Sequence, residues 1–263
     1  KDDITLKNIY TKSLKKILPS KIKAFIWLFR KIIFALPLSD VALKQYINFS
    51  PDFIFVDYLI NLDQKSFLKG EFQSDYWGNL INKINEKSIN TLWIHLPINS
   101  WADSDNFKKA KDINKKFKEF HHNSNKLQTH VILDSFLNFE VLKKSFFDWI
   151  KILKIEKEIK LNSKIPFIDD LNLWPLYKEE WFNSFYGIRG ISSCIDFNLF
   201  DRAFELQKNN SKLIYLLENQ TWEFSMIQAW KNKQIGEIIG YIHSCIPYWD
   251  MRKYFDSKTL SNP

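Results

Sequence analysis

Glycine is scarce in this chain, six residues in 263, and cysteine and methionine are scarcer still at two each. There is no G-x-G-x-x-G run, no phosphate-cradling P-loop and no G-x-S-x-G elbow. Dinucleotide oxidoreductase, P-loop NTPase and serine hydrolase readings therefore lose their usual support. H-E-x-x-H, Cys/His clusters and D-x-D-like acidic motifs are missing too, so we expect neither a metal nor a cofactor. Cys194 and Cys245 form no zinc or C-x-x-C spacing, which suits a reduced, cytosolic protein. Arginine is confined to Arg30, Arg189, Arg202 and Arg252. Nucleic-acid readers concentrate arginine, and no nucleic acid is expected as a partner. No apolar run reaches the ~18 residues of a membrane span. The sequence opens on neither an initiating methionine nor a signal peptide, and we expect a piece of a longer chain.

What is present is an apolar, basic chain. At 45% hydrophobic and 16% aromatic it can build a sizeable core. Ten Trp and 23 Phe beside many Lys, Asn and Ile read as a compositional bias rather than a ligand signal. A net charge of +8 favours an anionic membrane surface or an anionic substrate. The segment KIKAFIWLFRKIIFALPL (21–38) is a basic amphipathic helix interrupted by Arg30-Lys31 and stopped by Pro37. Two readings of it stand: a helix packed on the domain, or one lying in a membrane interface.

Strand and helix signals alternate along the chain. FIFVDYLI (53–60) and NTLWIHLP (90–97) read as buried strands, and THVILDSFL (129–137) as a short strand or the lead-in to a helix. Ser74 or Asp75 is the expected cap of a helix over 74–88, and a lysine-rich helix spans 105–121. A charged connection follows at 154–164, then helices at about 169–186 and 190–208, with DDLN (169–172) as a helix start. KLIYLLE (212–218), TWEFSMIQAWKNK (221–233) and EIIGYIH (237–243) form a βαβ unit. The expected fold is α/β: a Rossmann-like, mostly parallel sheet flanked by helices. A basic helical lead-in (1–48) precedes the domain (49–256), which carries a helical insertion at about 137–208, and a tail (257–263) follows.

In such a sheet ligands bind beyond the carboxyl ends of the strands. Glu218-Asn219 and His243-Ser244 stand at two such ends, with Glu223 in the first turn of the joining helix. Glu218 and His243 are the candidate catalytic acid–base pair. Asn219, Ser244 and Ser74 are candidates for orienting hydroxyls, and Tyr76 or Trp77 for stacking, with Gly78 allowing close backbone approach. Trp222, Met226 and Trp230 form a core stripe at i, i+4, i+8, from which Trp222 is also a candidate binding residue. Asn219 or Thr221 is equally a plain cap and Glu223 a dipole partner. His95 and Asp134 near other strand ends are candidates for binding or for burial with backbone partners.

Taken in order, FQSDYWGNL, TLWIHLP, LQTHVILDSFL, LWPLYKEEWFNSFYG, LLENQTWEFSMIQAWK and IIGYIHSCIPYWDMRKYFD resemble a bacterial surface carbohydrate biosynthesis family of O-antigen-type gene clusters. The resemblance covers about residues 50–256. It implies one half of a GT-B-like glycosyltransferase architecture, the amino-terminal, acceptor-side domain, with a second α/β domain expected to follow. A looser similarity to transferases of ulosonic sugars implies a CMP-activated donor. The expected partners are thus a nucleotide-sugar, a glycan or lipid-linked acceptor, and an anionic membrane surface through 21–38. The expected location is the cytoplasm, peripheral on the inner face of the cytoplasmic membrane. A non-catalytic carbohydrate-binding or scaffold domain is the alternative.

Overall fold

Strands β1 (Phe53–Tyr58) and β2 (Thr91–Leu96) carry mostly apolar runs, and β3 (Gln128–Ile132) joins them with Val131 and Ile132, as strands covered on both sides of a sheet do. In the computed structural model of the chain they are so covered: β2 and β3 are buried at every position. The structure describes residues 18–38, 43–59, 63–97, 106–124, 127–159, 167–168, 171–207, 211–233 and 236–242. With β6 (Lys212–Leu216) and β7 (Ile238–Tyr241), these strands form one parallel sheet in the order β3-β2-β1-β6-β7. Residues 238–241 form a largely exposed edge strand.

Alternation along β1 divides the core. Ile54 and Val56 join Leu92, Ile94, Leu213 and Tyr215 against helices α8 (Ile188–Glu205) and α9 (Thr221–Lys233). Phe55 turns to the other face and stacks on Trp93 with ring centroids 4.2 Å apart. Helices α4 (Asn79–Glu86) and α5 (Asn106–Asn123) cover that face with Ile81, Ile84, Phe117 and Phe120. Each such large side chain contributes ~1.5–3 kcal/mol on full burial. Helix α1 (Ser20–Ala35) spans both layers, with Ala24 and Trp27 in the first core and Phe34 in the second.

The connection from β3 to β6 crosses to the far side of β1 through α6 (Phe139–Glu158), α7 (Trp174–Tyr186) and α8. The region expected to be an insertion therefore includes a principal core layer. Ile191, Ile195 and Leu199 of α8 are buried at i, i+4 and i+8. Gly190 permits that packing, because a Cβ there would lie 2.6 Å from the Phe185 carbonyl oxygen.

Several boundaries differ from the sequence expectation. Ser74 and Asp75 do not cap α4; the cap position is Gly78, at φ +47°, with no side-chain cap bond. The Ser74 carbonyl instead closes a turn by accepting the N–H groups of Trp77 and Gly78 at 3.2 and 3.1 Å. Residues of the charged connection continue α6 as far as Glu158. DDLN does not begin a helix: Leu171–Asn172 (β5) pairs antiparallel with Phe167–Ile168 (β4), and Asp169 and Asp170 lie outside the described residues. Asn172 Oδ1 then accepts the Trp174 N–H at 2.8 Å, starting α7. The βαβ unit at the carboxyl end has the expected form, with β6 and β7 adjacent and parallel.

Candidate functional site

The sheet order reverses between β1 and β6, and in a parallel sheet that switch point opens a crevice beyond the strand ends. A pocket of about 300 Å³ lies beside it. Tyr58 and Leu96-Pro97 line it from the ends of β1 and β2, and Leu133 and Asp134 from the 3-10 turn after β3. Helix α1 adds Trp27 and Lys31, and α8 adds Ile188, Ser192 and Asp196, each set at four-residue spacing on one helical face. Trp222 closes the wall, its indole N–H donating to the Tyr58 hydroxyl at 2.7 Å.

The electrostatics are concentrated. Lys31 and Asp134, 5% and 1% exposed, form an ion pair across the pocket wall. Neither Asp134 oxygen takes a conventional hydrogen bond. Desolvation pushes the Asp196 carboxyl up to about 6, against the pull of Lys31 and with a further push from Asp134. A carboxylate that ionises near neutrality, a buried ammonium and three aromatic walls converge on one concavity. That is the pattern of a ligand site with acid–base capacity. Of these groups, the sequence marks Trp222 as a binding candidate and leaves Asp134 between binding and backbone burial. The structure supplies Asp134 with Lys31, a partner brought from a helix about a hundred residues away.

The other sequence candidates divide by burial. Glu218 and Asn219 are half-buried beyond the end of β6, Asn219 in the left-handed region at φ +58°. Glu218 acts by charge and hydrogen bonding on Tyr58, whose hydroxyl is raised chiefly by burial. Tyr76, half-buried, is raised by burial and by the charges of Glu218 and Asp57, which brings the two candidate loops into one neighbourhood. Gly78 is exposed. His243 and Ser244 lie outside the described residues.

Four candidates for substrate binding are instead interior groups. Glu223 is 2% exposed, and its Oε1 accepts the N–H groups of Glu218 at 2.9 Å and Gln220 at 2.7 Å. This is the returning half of a capping box, a backbone duty that withdraws it from ligand contact. Trp77 is 2% exposed, stacks on Tyr241 and donates its indole N–H to Asp57 Oδ2 at 2.8 Å. Ser74 is buried, and its hydroxyl has no hydrogen-bond partner among the described residues. His95 is fully buried in the core.

His95 belongs to a polar chain that runs across the sheet beneath the aromatic layer. Asp57 Oδ1 meets His95 Nδ1 at 2.5 Å, and His95 Nε2 meets His130 Nδ1 at 2.9 Å. His130 Nε2 faces Gln128 Oε1 at 3.4 Å, and Gln128 Nε2 donates to Asn85 Oδ1 at 2.6 Å. The last link fixes the polarity of the rest. Gln128 offers its oxygen, so His130 donates from Nε2 and accepts at Nδ1, and His95 donates from Nε2. One proton then lies between Asp57 and His95. Burial, with His95 and His121 nearby, holds His130 well below its ordinary range, in keeping with a neutral ring. His121 Nε2 accepts the His130 backbone N–H at 3.2 Å, and burial lowers this imidazole to about 4.

Among the described residues, no group of three His, Cys, Asp or Glu is arranged to hold a metal, and no helix is long and apolar enough to cross a membrane. Comparison with protein-family models, with curated proteins and with solved structures finds no match to the chain.

Proposed function

We propose that the chain is the acceptor-side domain of a glycosyltransferase of bacterial surface polysaccharide synthesis, and that the pocket beneath α1 takes the acceptor sugar. The observation that carries this reading is Asp196, a pocket carboxyl raised to about 6 between aromatic walls and a buried Lys31–Asp134 pair. An ionised Asp196 is a suitable general base for a sugar hydroxyl near neutral pH. The hydroxyl proton passes to the carboxylate, and the freed oxygen bonds to the anomeric carbon of the donor. The bond from that carbon to the donor phosphate breaks, and the nucleotide leaves with the electron pair. Trp27 and Trp222 offer apolar faces to the C–H side of a pyranose, and Ser192 a hydroxyl to its rim.

The test uses the full-length protein with CMP-, UDP- and GDP-sugars, scoring transfer to glycan acceptors, beside ligand-observed NMR of sugar binding. Asp196→Asn is expected to lower transfer about 100-fold or more while sugar binding survives. Trp222→Ala is expected to weaken binding itself. Sugar binding without transfer from any donor would favour the non-catalytic carbohydrate-binding alternative. Absence of sugar binding would overturn both.

A further inference from the structure

Helix α1 has two opposed apolar faces, and among the described residues one is buried in the core while the other is largely exposed. Ala24, Trp27, Phe34 and Ala35 are buried, with Lys31 among them. At about 100° per residue, Ile22, Phe25, Ile26, Phe29 and Leu36 fall on the opposite side. They are 46%, 49%, 45%, 64% and 61% exposed. The stripe is bordered by Lys21 on one edge and by Lys23 and Arg30 on the other, and the helix contains no Asp or Glu. Lys12, Lys15 and Lys16 precede it in sequence.

The apolar surface continues onto neighbouring helices. Phe25 packs edge-on against Trp149 of α6 at 5.6 Å, and the half-exposed Phe146 follows at 6.3 Å from the same indole. Lys21 lies over the Tyr186 ring of α7 at 5.0 Å. On α1 itself the stripe is bordered by basic residues alone, while Glu156 of α6 is occupied in accepting the Tyr186 hydroxyl; exposed aliphatic and aromatic side chains with this border match an anionic lipid surface. The apolar stripe replaces acyl-chain contacts, and the border meets lipid phosphates. A protein interface of this size would be expected to mix in hydrogen-bonding groups, which the stripe does not contain.

We propose that the outer face of α1 docks the protein on anionic membranes, lying in the interface without crossing it. The proposal does not depend on the sugar reading. Docking there sets the pocket, lined by the inner face of the same helix, roughly one helix diameter (~10 Å) from the headgroups.

The test is flotation of the full chain with vesicles of equal parts phosphatidylglycerol and phosphatidylcholine, beside vesicles of phosphatidylcholine alone. Binding to the anionic vesicles is expected, weakening as salt screens the basic border. Phe25→Gln with Phe29→Gln is expected to lower the vesicle-bound fraction about tenfold or more. Lys23→Gln with Arg30→Gln is expected to remove the preference for anionic lipid. Phe224→Gln, at a residue 69% exposed on α9, serves as the control that leaves binding unchanged. Phe25, Phe29 and Phe224 are exposed and Lys23 and Arg30 half-buried, and circular dichroism checks that each variant is folded. The proposal is overturned by no binding to anionic vesicles or by binding that survives the double Phe replacement. Self-association through the same face in place of lipid binding also overturns it.

Discussion

Asp57 and His95 stand opposite one another on neighbouring parallel strands, fully buried, with Oδ1 and Nδ1 2.5 Å apart. The Trp77 indole holds the second carboxylate oxygen and His130 holds the far ring nitrogen. Every polar atom of the pair therefore has a partner, which is the condition for keeping such groups in an aromatic core.

Removing either member is expected to be severe. His95→Ala or Asp57→Ala leaves the other group buried without the partner at one of its two polar atoms, at a cost of ~3–5 kcal/mol. Urea unfolding of the two single variants and the double variant measures it. A double variant that costs less than the sum of the singles shows the coupling. Additive single losses would mean that the pair does not act as a unit.

The pH dependence of stability has two opposed contributions. Half-buried His121 is lowered to about 4 from an ordinary 6.5, so the unfolded chain binds its proton first on acidification. The stability it lends is present above about 6.5 and lost as pH falls through about 4, a swing of ~3 kcal/mol at most. His130 acts in the same direction. Asp196 is raised to about 6 from 3.8, so it costs stability at neutral pH; the cost starts to shrink as pH falls through about 6 and is gone below 3.8. Asp196→Asn is expected to raise stability at pH ~7 and to steepen the loss toward pH ~4. His121→Asn is expected to flatten that loss. Denaturation midpoints across the range distinguish these outcomes.

Lys31→Met should cost ~3–5 kcal/mol, because it strands Asp134 in the pocket wall. Pairing it with Asp134→Leu is expected to recover most of that loss, since an apolar pair of similar volume avoids the desolvation of both charges. Thermal melts of the three variants read this directly. A double variant no more stable than Lys31→Met would show that Asp134 has partners other than the ammonium.

Glu223 and Glu218, five residues apart, are expected to respond differently. Glu223→Ala removes the acceptor for two backbone N–H groups and should cost ~1–3 kcal/mol. Half-buried Glu218→Gln should move stability by no more than ~0.5 kcal/mol. Equilibrium unfolding separates a capping residue from one whose charge bears on Tyr58 and Tyr76.

How much of this was legible in the sequence depended on how local the cause was. The long apolar runs required strands covered on both faces, and β6-α9-β7 was recoverable because its period changes from strand to helix within one short unit. The start of α4 was misplaced because Ser74 and Asp75 look like caps, while the turn they enter is closed by backbone carbonyls and by Gly78 at positive φ. FIFVDYLI reads as a buried strand, and its aspartate carries no signal of its own. Nothing local could say that it meets a histidine from the next strand.

By itself the sequence determined the α/β class, the basic character, the amphipathic α1 and the absence of familiar nucleotide and metal motifs, since periodicity, charge and short spacing are local properties. Tertiary structure alone decided that Lys31, Asp134 and Asp196 meet in one pocket, and that His95 and Glu223 serve the interior instead of a ligand. The physical reason is long-range burial. A carboxylate acquires a raised pKa or an ion partner only when distant helices and strand ends remove it from water, and that depends on the order in which the strands assemble.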